Sequence, residues 1–227
     1  MSPPNRKAKK TGPKTASRNA ANPVAGVRII GGRFRGRRIQ YSGDIRTRPM
    51  KDRLREAIFN LVGPSINGKH VLDLFAGTGA LALEALGRGA ARATLIEIHF
   101  PTATIIRQNA ALLGVEGQTQ VVAADTFIWC EQHLINPLAA KPSTPKEQSR
   151  PGPGTPWAVF CSPPYEFYAS RREDMLGLIG GLIGAAPAES LVVVEADARF
   201  DFALLPQAEG WRVRSYPPAQ VGIFRKP

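Results

Sequence analysis

The chain is poor in the residues that build cross-links and metal sites. It has two cysteines, Cys130 and Cys161, in 227 residues. That excludes a disulfide framework and points to a reducing, cytoplasmic compartment. Its three histidines, His70, His99 and His133, do not fall at ligand spacing with those cysteines, so no metal is expected. No apolar run is long enough to span a bilayer: the longest, residues 176–188, is short and glycine-rich. The N-terminus is charged but has no apolar segment of the kind found in secretory leaders, and no internal repeat is visible. Acid is scarce at the front. Residues 1–55 hold 16 Lys and Arg against Asp44 and Asp52 alone, whereas the remainder holds 14 basic and 16 acidic residues. The net charge of +12 is therefore a basic front on a nearly neutral body. Such asymmetry suggests a polyanionic partner, nucleic acid first, with a solvated solubility tail as the plainer alternative.

What is present suits one α/β domain behind a tail. Hydrophobic residues make up 43% of the chain, enough for a core. Residues 1–23 lack apolar periodicity and are expected to be a disordered basic tail. Residues 24–227 form the domain, with a basic front unit at 24–65 and a Rossmann-like core at 66–227. In the front unit, residues 27–30 read as a strand, Gly31-Gly32 as a turn and residues 34–39 as the return strand. Arg33, Arg35 and Arg37 alternate, so a strand places them on one face, a candidate phosphate clamp or a charge-blunted edge. From Pro49, expected in a first helical turn, Leu54, Ala57, Ile58, Leu61 and Val62 mark an apolar helical stripe. Arg48, Lys51 and Arg55 lie off the stripe and could face a substrate, or Arg55 could pair with a neighbouring carboxylate. Gly63-Pro64 ends the helix.

The core alternates strand and helix. Strands are expected at 70–74, 93–97, 119–123, 157–161 and 191–195, with short closing strands at 211–215 and 221–224. Helices are expected at 79–86, 102–113, 126–134 and 171–183. This alternation means a mostly parallel sheet covered on both faces. Residues 136–156 are too rich in proline and glycine for either element and read as a surface insertion.

The chemistry gathers at strand ends. Asp73 with Gly77 and Gly79, then Glu97, Asp125 and Ser162-Pro163-Pro164-Tyr165 each follow a strand, and open α/β sheets bind ligands there. Gly77-x-Gly79-x-x-Ala82 with Glu97 twenty residues on also fits a dinucleotide fingerprint. Charge separates the two readings. Asp73 would repel a pyrophosphate, but it suits the positive sulfonium and ammonium of S-adenosylmethionine. Glu97 can accept from ribose hydroxyls and Asp125 from an adenine amine, although Asp73 could instead simply cap the following helix. In the second motif, two prolines hold a rigid loop and Tyr165 can stack on a splayed base. Ser162 can accept from an exocyclic amine. No Pro-Cys pair occurs, so covalent attack on a pyrimidine is not expected, and Cys161 reads as a packed strand residue.

Four blocks, in order, resemble the bacterial 16S ribosomal RNA guanine-N2 methyltransferases. They are Arg28-Ile29-Ile30-Gly31-Gly32-x-Phe34-Arg35-Gly36, Arg48-Pro49-x-x-Asp52-Arg53-x-Arg55-Glu56-x-x-Phe59-Asn60, Asp73-Leu74-Phe75-Ala76-Gly77-Thr78-Gly79 and the Pro-Pro-Tyr loop. The likeness runs over residues 27–227, and its N-terminal blocks are the specific part. It implies a class I methyltransferase fold with a seven-stranded, mostly parallel sheet plus the N-terminal hairpin and helix. It also implies S-adenosylmethionine as cofactor, and methylation of a guanine N2 amine in small-subunit ribosomal RNA, on an assembled or assembling 30S subunit; a monomer is expected. The cofactor-binding residues implied are Asp73, Phe75, Ala76, Gly77, Thr78, Gly79, Glu97, Ile98, Asp125 and Thr126. Those implied at the reacting base are Ser162, Pro163, Pro164 and Tyr165. Those implied for RNA are Arg28, Arg33, Arg35, Arg37, Arg38, Arg48, Lys51 and Arg55. The chain departs from the family pattern in carrying Ser162 where Asp or Asn begins the loop, and Ile98-His99 where a polar or acidic pair follows the strand-end Glu. These departures keep open a weakened, RNA-binding assembly factor. The loop alone also fits a DNA adenine-N6 methyltransferase.

Overall fold

The computed structural model describes residues 26–41, 43, 49–137 and 151–227. The readings made for the 1–23 tail, for Arg48 and for most of the 136–156 insertion lie outside those residues. The core elements follow the chain as β3 (His70–Asp73), α2 (Ala80–Gly87), β4 (Arg92–Ile96), α3 (Phe100–Leu113), β5 (Thr119–Val122) and α4 (Thr126–Cys130). After the insertion come β6 (Trp157–Cys161), α5 (Phe167–Ser170), α6 (Arg172–Ala185), β7 (Leu191–Asp197), β8 (Trp211–Tyr216) and β9 (Ala219–Arg225). Before them stand β1 (Gly26–Arg28), β2 (Arg38–Gln40) and α1 (Asp52–Val62).

Among the described residues, β3 to β9 form one seven-stranded sheet in the order β5-β4-β3-β6-β7-β9-β8. The first five pair in parallel, whereas β9 runs antiparallel to both β7 and β8. The strand order reverses at β3, whose neighbours are β4 on one side and β6 on the other. That reversal opens a crevice beyond the carboxyl ends of the strands. The central strands are near-continuous apolar runs because both faces are covered. Val71, Leu95 and Phe160 pack with α1, α2 and α3 on one face, while Leu72, Val159 and Cys161 pack with α4, α5 and α6 on the other.

The front unit shares this core. Val27, Ile29, Phe34, Ile39 and Ile58 lie in the same apolar cluster as α2 and β3. Two features of it differ from the sequence reading. First, β1 and β2 pair as a short antiparallel ribbon, but residues 29–37 between them are not a tight Gly-Gly hairpin. They form a wide loop with one 3-10 turn at Gly32–Phe34. Gly32 and Gly36 both take positive φ there, a conformation that interrupts an extended strand. The loop is pinned because Phe34 packs on α2: a Cβ on Gly87 would meet its ring at 2.9 Å, and one on Gly32 would meet the Gly87 carbonyl at 2.4 Å. Arg33 and Arg35 therefore do not sit on a strand, and the alternating row with Arg37 does not form. Second, α1 starts at Asp52, so Pro49 lies ahead of the helix rather than in its first turn. Its buried face includes Phe59 and Arg55, neither of which belongs to the apolar stripe.

Candidate active site

The turn after β3 carries the first half of the site. Leu74 N–H continues the strand pairing to Phe160 O at 3.0 Å, and Ala76 N–H then crosses to Ile96 O at 3.0 Å. Gly77 and Gly79 take positive φ, which glycine adopts without strain. Gly79 also sits against Ile106 and Leu95, where a Cβ would come within 3.1 and 3.2 Å of their side chains. The turn delivers the chain into α2, and Asp73 meets it from below. The Asp73 carboxylate is 1% exposed and accepts from Ala82 N–H at 3.3 Å in the first turn of α2. It therefore does cap the helix. Burial, opposed by that hydrogen bond and reinforced by the charge of Glu97, raises its carboxyl to about 7.

Glu97, just past the end of β4, is held at both oxygens. Gly77 N–H donates to one at 2.9 Å and His99 N–H to the other at 2.8 Å. The same carboxylate thus braces the glycine turn and keeps its outer lone pairs at the rim. Among the described residues neither Asp73 nor Glu97 forms a salt bridge. Asp125 caps α4, accepting from Ile128 N–H at 3.1 Å, and the Thr126 hydroxyl donates to the Leu74 carbonyl, tying the β5 end to the β3 turn. Ile98 and Ile128 stand exposed beside these acids, at 70% and 60%, and Phe100 at 67%. Exposed apolar side chains next to strand-end carboxylates can close on a flat ligand. Thr78 is buried, and its carbonyl accepts from Asn109 Nδ2 at 3.5 Å.

The second half hangs from β6. Ser162 is half-buried, Pro163 buried, Pro164 exposed and Tyr165 half-buried. The loop closes into α5 through Phe167 N–H to Pro164 O at 3.0 Å and Tyr168 N–H to Tyr165 O at 3.2 Å. Four residues outside the motifs complete this region. Glu195, near the end of β7, accepts from the Tyr165 hydroxyl at 2.5 Å, and the Ser162 hydroxyl is near enough to favour its ionised form. Phe127 and Phe167 meet Phe75 edge-on at 6.0 and 6.1 Å, and the Arg171 guanidinium lies 3.8 Å over the Phe127 ring. An acid closing the 191–195 strand was a visible signal for Glu195, matching the three acids already counted at strand ends. Phe127, Phe167 and Arg171 carry no periodic or motif signal.

Cys161 is buried within β6 and burial pushes its thiol up to about 12, so it is no nucleophile at neutral pH. Among the described residues no cluster of His, Cys, Asp and Glu is placed to hold a metal ion, and no helix is long and apolar enough to cross a membrane.

The basic residues of the front unit separate into three kinds. Arg35, Arg38 and Lys51 are exposed. Arg28, Arg33 and Arg37 are exposed but engaged: with Asp52 at 3.0 Å, with Gln118 at 3.0 Å and with the Leu112 carbonyl at 2.7 Å. Arg55 takes the second of its two expected roles, pairing with carboxylates, and drops out of the RNA-binding set. It is 0% exposed, and its guanidinium donates to Asp52 at 2.9 Å and to the carbonyls of Arg28 and Met50 at 2.5 and 3.1 Å. Its Nε lies 3.6 Å from buried Glu84. It cannot touch a substrate. An off-stripe position is no guide to exposure when a second layer, here β1 and its loop, covers the helix. A groove of about 430 Å³ opens between this ribbon and α1, lined by Arg28, Arg38, Tyr41, Pro49 and Met50 among others.

Comparison with known proteins places the chain in company. The family model described as conserved hypothetical protein 95 matches residues 27–137. Ribosomal RNA small subunit methyltransferase D of Escherichia coli K12 is 35% identical over 181 residues, 79% of each chain. The Bacillus subtilis protein YlbH, provisionally assigned as an rRNA methyltransferase, is 35% identical over 204 residues, 88% of this chain and 99% of that one. Among solved structures, the E. coli protein yhhF, provisionally assigned as a methyltransferase, is similar at TM-score 0.68 and 31% identity, over 89% of this chain and 98% of that one. The Thermus thermophilus 16S rRNA N2 G1207 methyltransferase, solved with AdoMet and guanosine, matches at TM-score 0.61 over 89% of this chain and 50% of that one. At 14% identity it shows the shared fold alone.

Proposed function

The chain belongs to the family of the bacterial ribosomal RNA small subunit methyltransferases D, and from that premise we propose that it methylates the exocyclic N2 amine of a guanine in 16S ribosomal RNA, using S-adenosylmethionine. The observation that carries this reading is the pair of carboxylates at the β3 switch point. Asp73 and Glu97 are close enough for one to raise the other's pKa, and among the described residues no cation neutralises them. Such a site rejects a pyrophosphate and favours a ligand with positive sulfonium and ammonium groups.

Each residue then has a role. Asp73, buried beneath the turn, attracts the positive end of the cofactor through the field of its carboxylate, and Gly77 to Gly79 let the backbone approach the cofactor closely. Phe75, Ala76 and Thr78 complete that turn. Glu97 accepts from the ribose hydroxyls. Asp125 accepts from the adenine amine, with Ile98 and Thr126 beside it. The cofactor supplies an activated methyl group. Tyr165 stacks on the flipped guanine, and Pro163 and Pro164 keep the loop rigid. Ser162 accepts a hydrogen bond from the N2 amine, which orients the nitrogen lone pair for in-line attack. Positioning of the two partners supplies much of the rate. Arg35, Arg38 and Lys51, joined by Arg28, Arg33 and Arg37 through their remaining donors, provide phosphate contacts along the front unit. The paired domain reading, basic front unit for RNA and Rossmann-like core for chemistry, rests on this charge distribution.

Competition between substrates tests the reading. With labelled S-adenosylmethionine and an equal mass of unmodified small subunits and adenine-containing duplex DNA, label is expected in the RNA at more than tenfold excess. Label mainly in DNA overturns it in favour of an adenine-N6 enzyme. Cofactor binding without label in either polymer favours an assembly factor that keeps the cofactor fold.

A further inference from the structure

Glu195 has no part in the readings above, yet it is placed at the reacting end of the site. The register pairs Cys161 on β6 with Val194 on β7, so the next residues, Ser162 and Glu195, are neighbours at the carboxyl edge of the sheet. Glu195 is buried, 7% exposed. It accepts from the Tyr165 hydroxyl at 2.5 Å, and the register sets the Ser162 hydroxyl beside it, near enough to favour its ionised form. Its own backbone carbonyl accepts from the Tyr168 hydroxyl at 2.9 Å, which fixes the strand end. Among the described residues it forms no salt bridge. Burial raises the Glu195 carboxyl above its usual range, and the Tyr165 and Ser162 hydroxyls offset only part of that rise, so it keeps a raised affinity for a proton.

Resting on the proposed function, we propose that Glu195 is a positioning residue that acts through Ser162 and takes up the proton the reaction releases. Ser162 donates its hydroxyl hydrogen to Glu195 and so turns its lone pairs toward the guanine amine. The N2 lone pair forms the new N–C bond as the methyl–sulfur bond breaks, and the bonding electrons leave with sulfur. The nitrogen then carries one surplus proton. That proton passes to Ser162 Oγ, which releases its original hydrogen to the Glu195 carboxylate, so charge and atoms balance. Tyr165, held by the same carboxylate, keeps its ring fixed for stacking. A carboxylate on the adjacent strand thereby supplies what a serine lacks at position 162.

The titratable groups facing Glu195 are Tyr165 on the loop, Tyr168 on α5 and Cys161 on β6. Burial raises Tyr168 well above an ordinary phenol and Cys161 to about 12, so both keep their protons at neutral pH. Asp73 on β3 titrates near 7 in the free protein, so the profile is measured at saturating S-adenosylmethionine, whose positive charge holds Asp73 ionised. The full chain is assayed on unmodified small subunits. In the wild type, turnover is expected to fall as pH drops through the raised Glu195 carboxyl. Glu195→Gln is expected to lower kcat at least tenfold, leave KM for both substrates within twofold and flatten that acidic limb. Adding Ser162→Asp to Glu195→Gln is expected to restore turnover at least fivefold. A Glu195→Gln enzyme with kcat within twofold of wild type and an unchanged acidic limb overturns the proposal, as does a loss that Ser162→Asp does not rescue. Should Glu195→Gln fail to fold, Ser162→Ala serves instead, and retention of the acidic limb in that variant overturns it. Wild-type protein that labels no guanine defeats the functional reading itself, whereas active wild type with an indifferent Glu195 defeats this inference alone.

Discussion

Asp73→Asn is expected to stabilise the ligand-free protein and, in the same variant, to weaken S-adenosylmethionine binding at least 100-fold. Both effects come from one buried carboxylate. Asp73 is 1% exposed and burial raises it from 3.8 to about 7. In the unfolded chain it ionises near its ordinary value. The folded state therefore holds the proton more tightly, and the contribution to stability runs in a definite direction. It is fully present below about 4 and is lost as pH rises from there through about 7. An amide at this position has no charge to desolvate, and its oxygen can still accept from Ala82 N–H. The variant should match wild-type stability near pH 4 and gain over it up to pH 7, reaching roughly 1–4 kcal/mol above that. Binding moves the other way, because only the ionised carboxylate attracts the positive cofactor. Wild-type affinity should fall as pH drops below about 7, and the variant should show no such fall. Thermal denaturation and titration calorimetry between pH 5.5 and 8.5 read both effects. A variant that binds within tenfold of wild type removes Asp73 from the cofactor site.

The second large effect is expected at Arg55, far from the chemistry. Glu84 is 0% exposed inside α2, a helix otherwise made of Ala, Leu and Gly. Arg88 Nη2 donates to it at 2.7 Å, Ile30 N–H at 3.1 Å, and the Arg55 Nε lies at 3.6 Å. Through this carboxylate, and through Arg55 to the carbonyls of Arg28 and Met50, the front ribbon and α1 are fastened to the core. Arg55→Met fills the volume but removes the donor to two part-buried carbonyls and leaves buried Glu84 with Arg88 as its remaining cation. Breaking a buried pair on one side costs about 3–5 kcal/mol. Denaturant unfolding should register that loss, and limited proteolysis should cut first within residues 29–37. Adding Glu84→Gln should recover part of it, since the remaining carboxylate charge is then gone. A loss below 1 kcal/mol would mean that the ribbon is held by apolar contacts alone.

The same two residues show where the sequence was readable and where it was not. The strands from His70 to Cys161 were legible because a sheet covered on both faces demands uninterrupted apolar runs, and their ends fell within a residue or two of expectation. The acids at those ends were legible because an open α/β sheet has only one rim where they can act together. Arg55 was left open between facing a substrate and pairing with a carboxylate because helical periodicity describes one packed face, whereas α1 is covered on two. The signal that could have corrected it was Glu84, a lone charge within Ala80–Gly87 that demanded a cation from elsewhere in the chain. The arginine row failed for a related reason: alternation fixes a face only where the backbone stays extended, and Gly32 and Gly36 interrupt it. The partners of Ser162 and Tyr165 became visible only with the β6–β7 register, which sets Glu195 beside them. No local pattern encodes which strand end lies next to which.

The most direct measurement is the identity of the methylated nucleoside. Small subunits lacking the modification are incubated with the protein and radiolabelled S-adenosylmethionine, and the RNA is digested to nucleosides and separated. Label in N2-methylguanosine is the expected result, and it would also establish that serine suffices at position 162. Label in any other nucleoside, or none while S-adenosylmethionine still binds, would contradict the assignment of guanine N2 as the atom this site methylates.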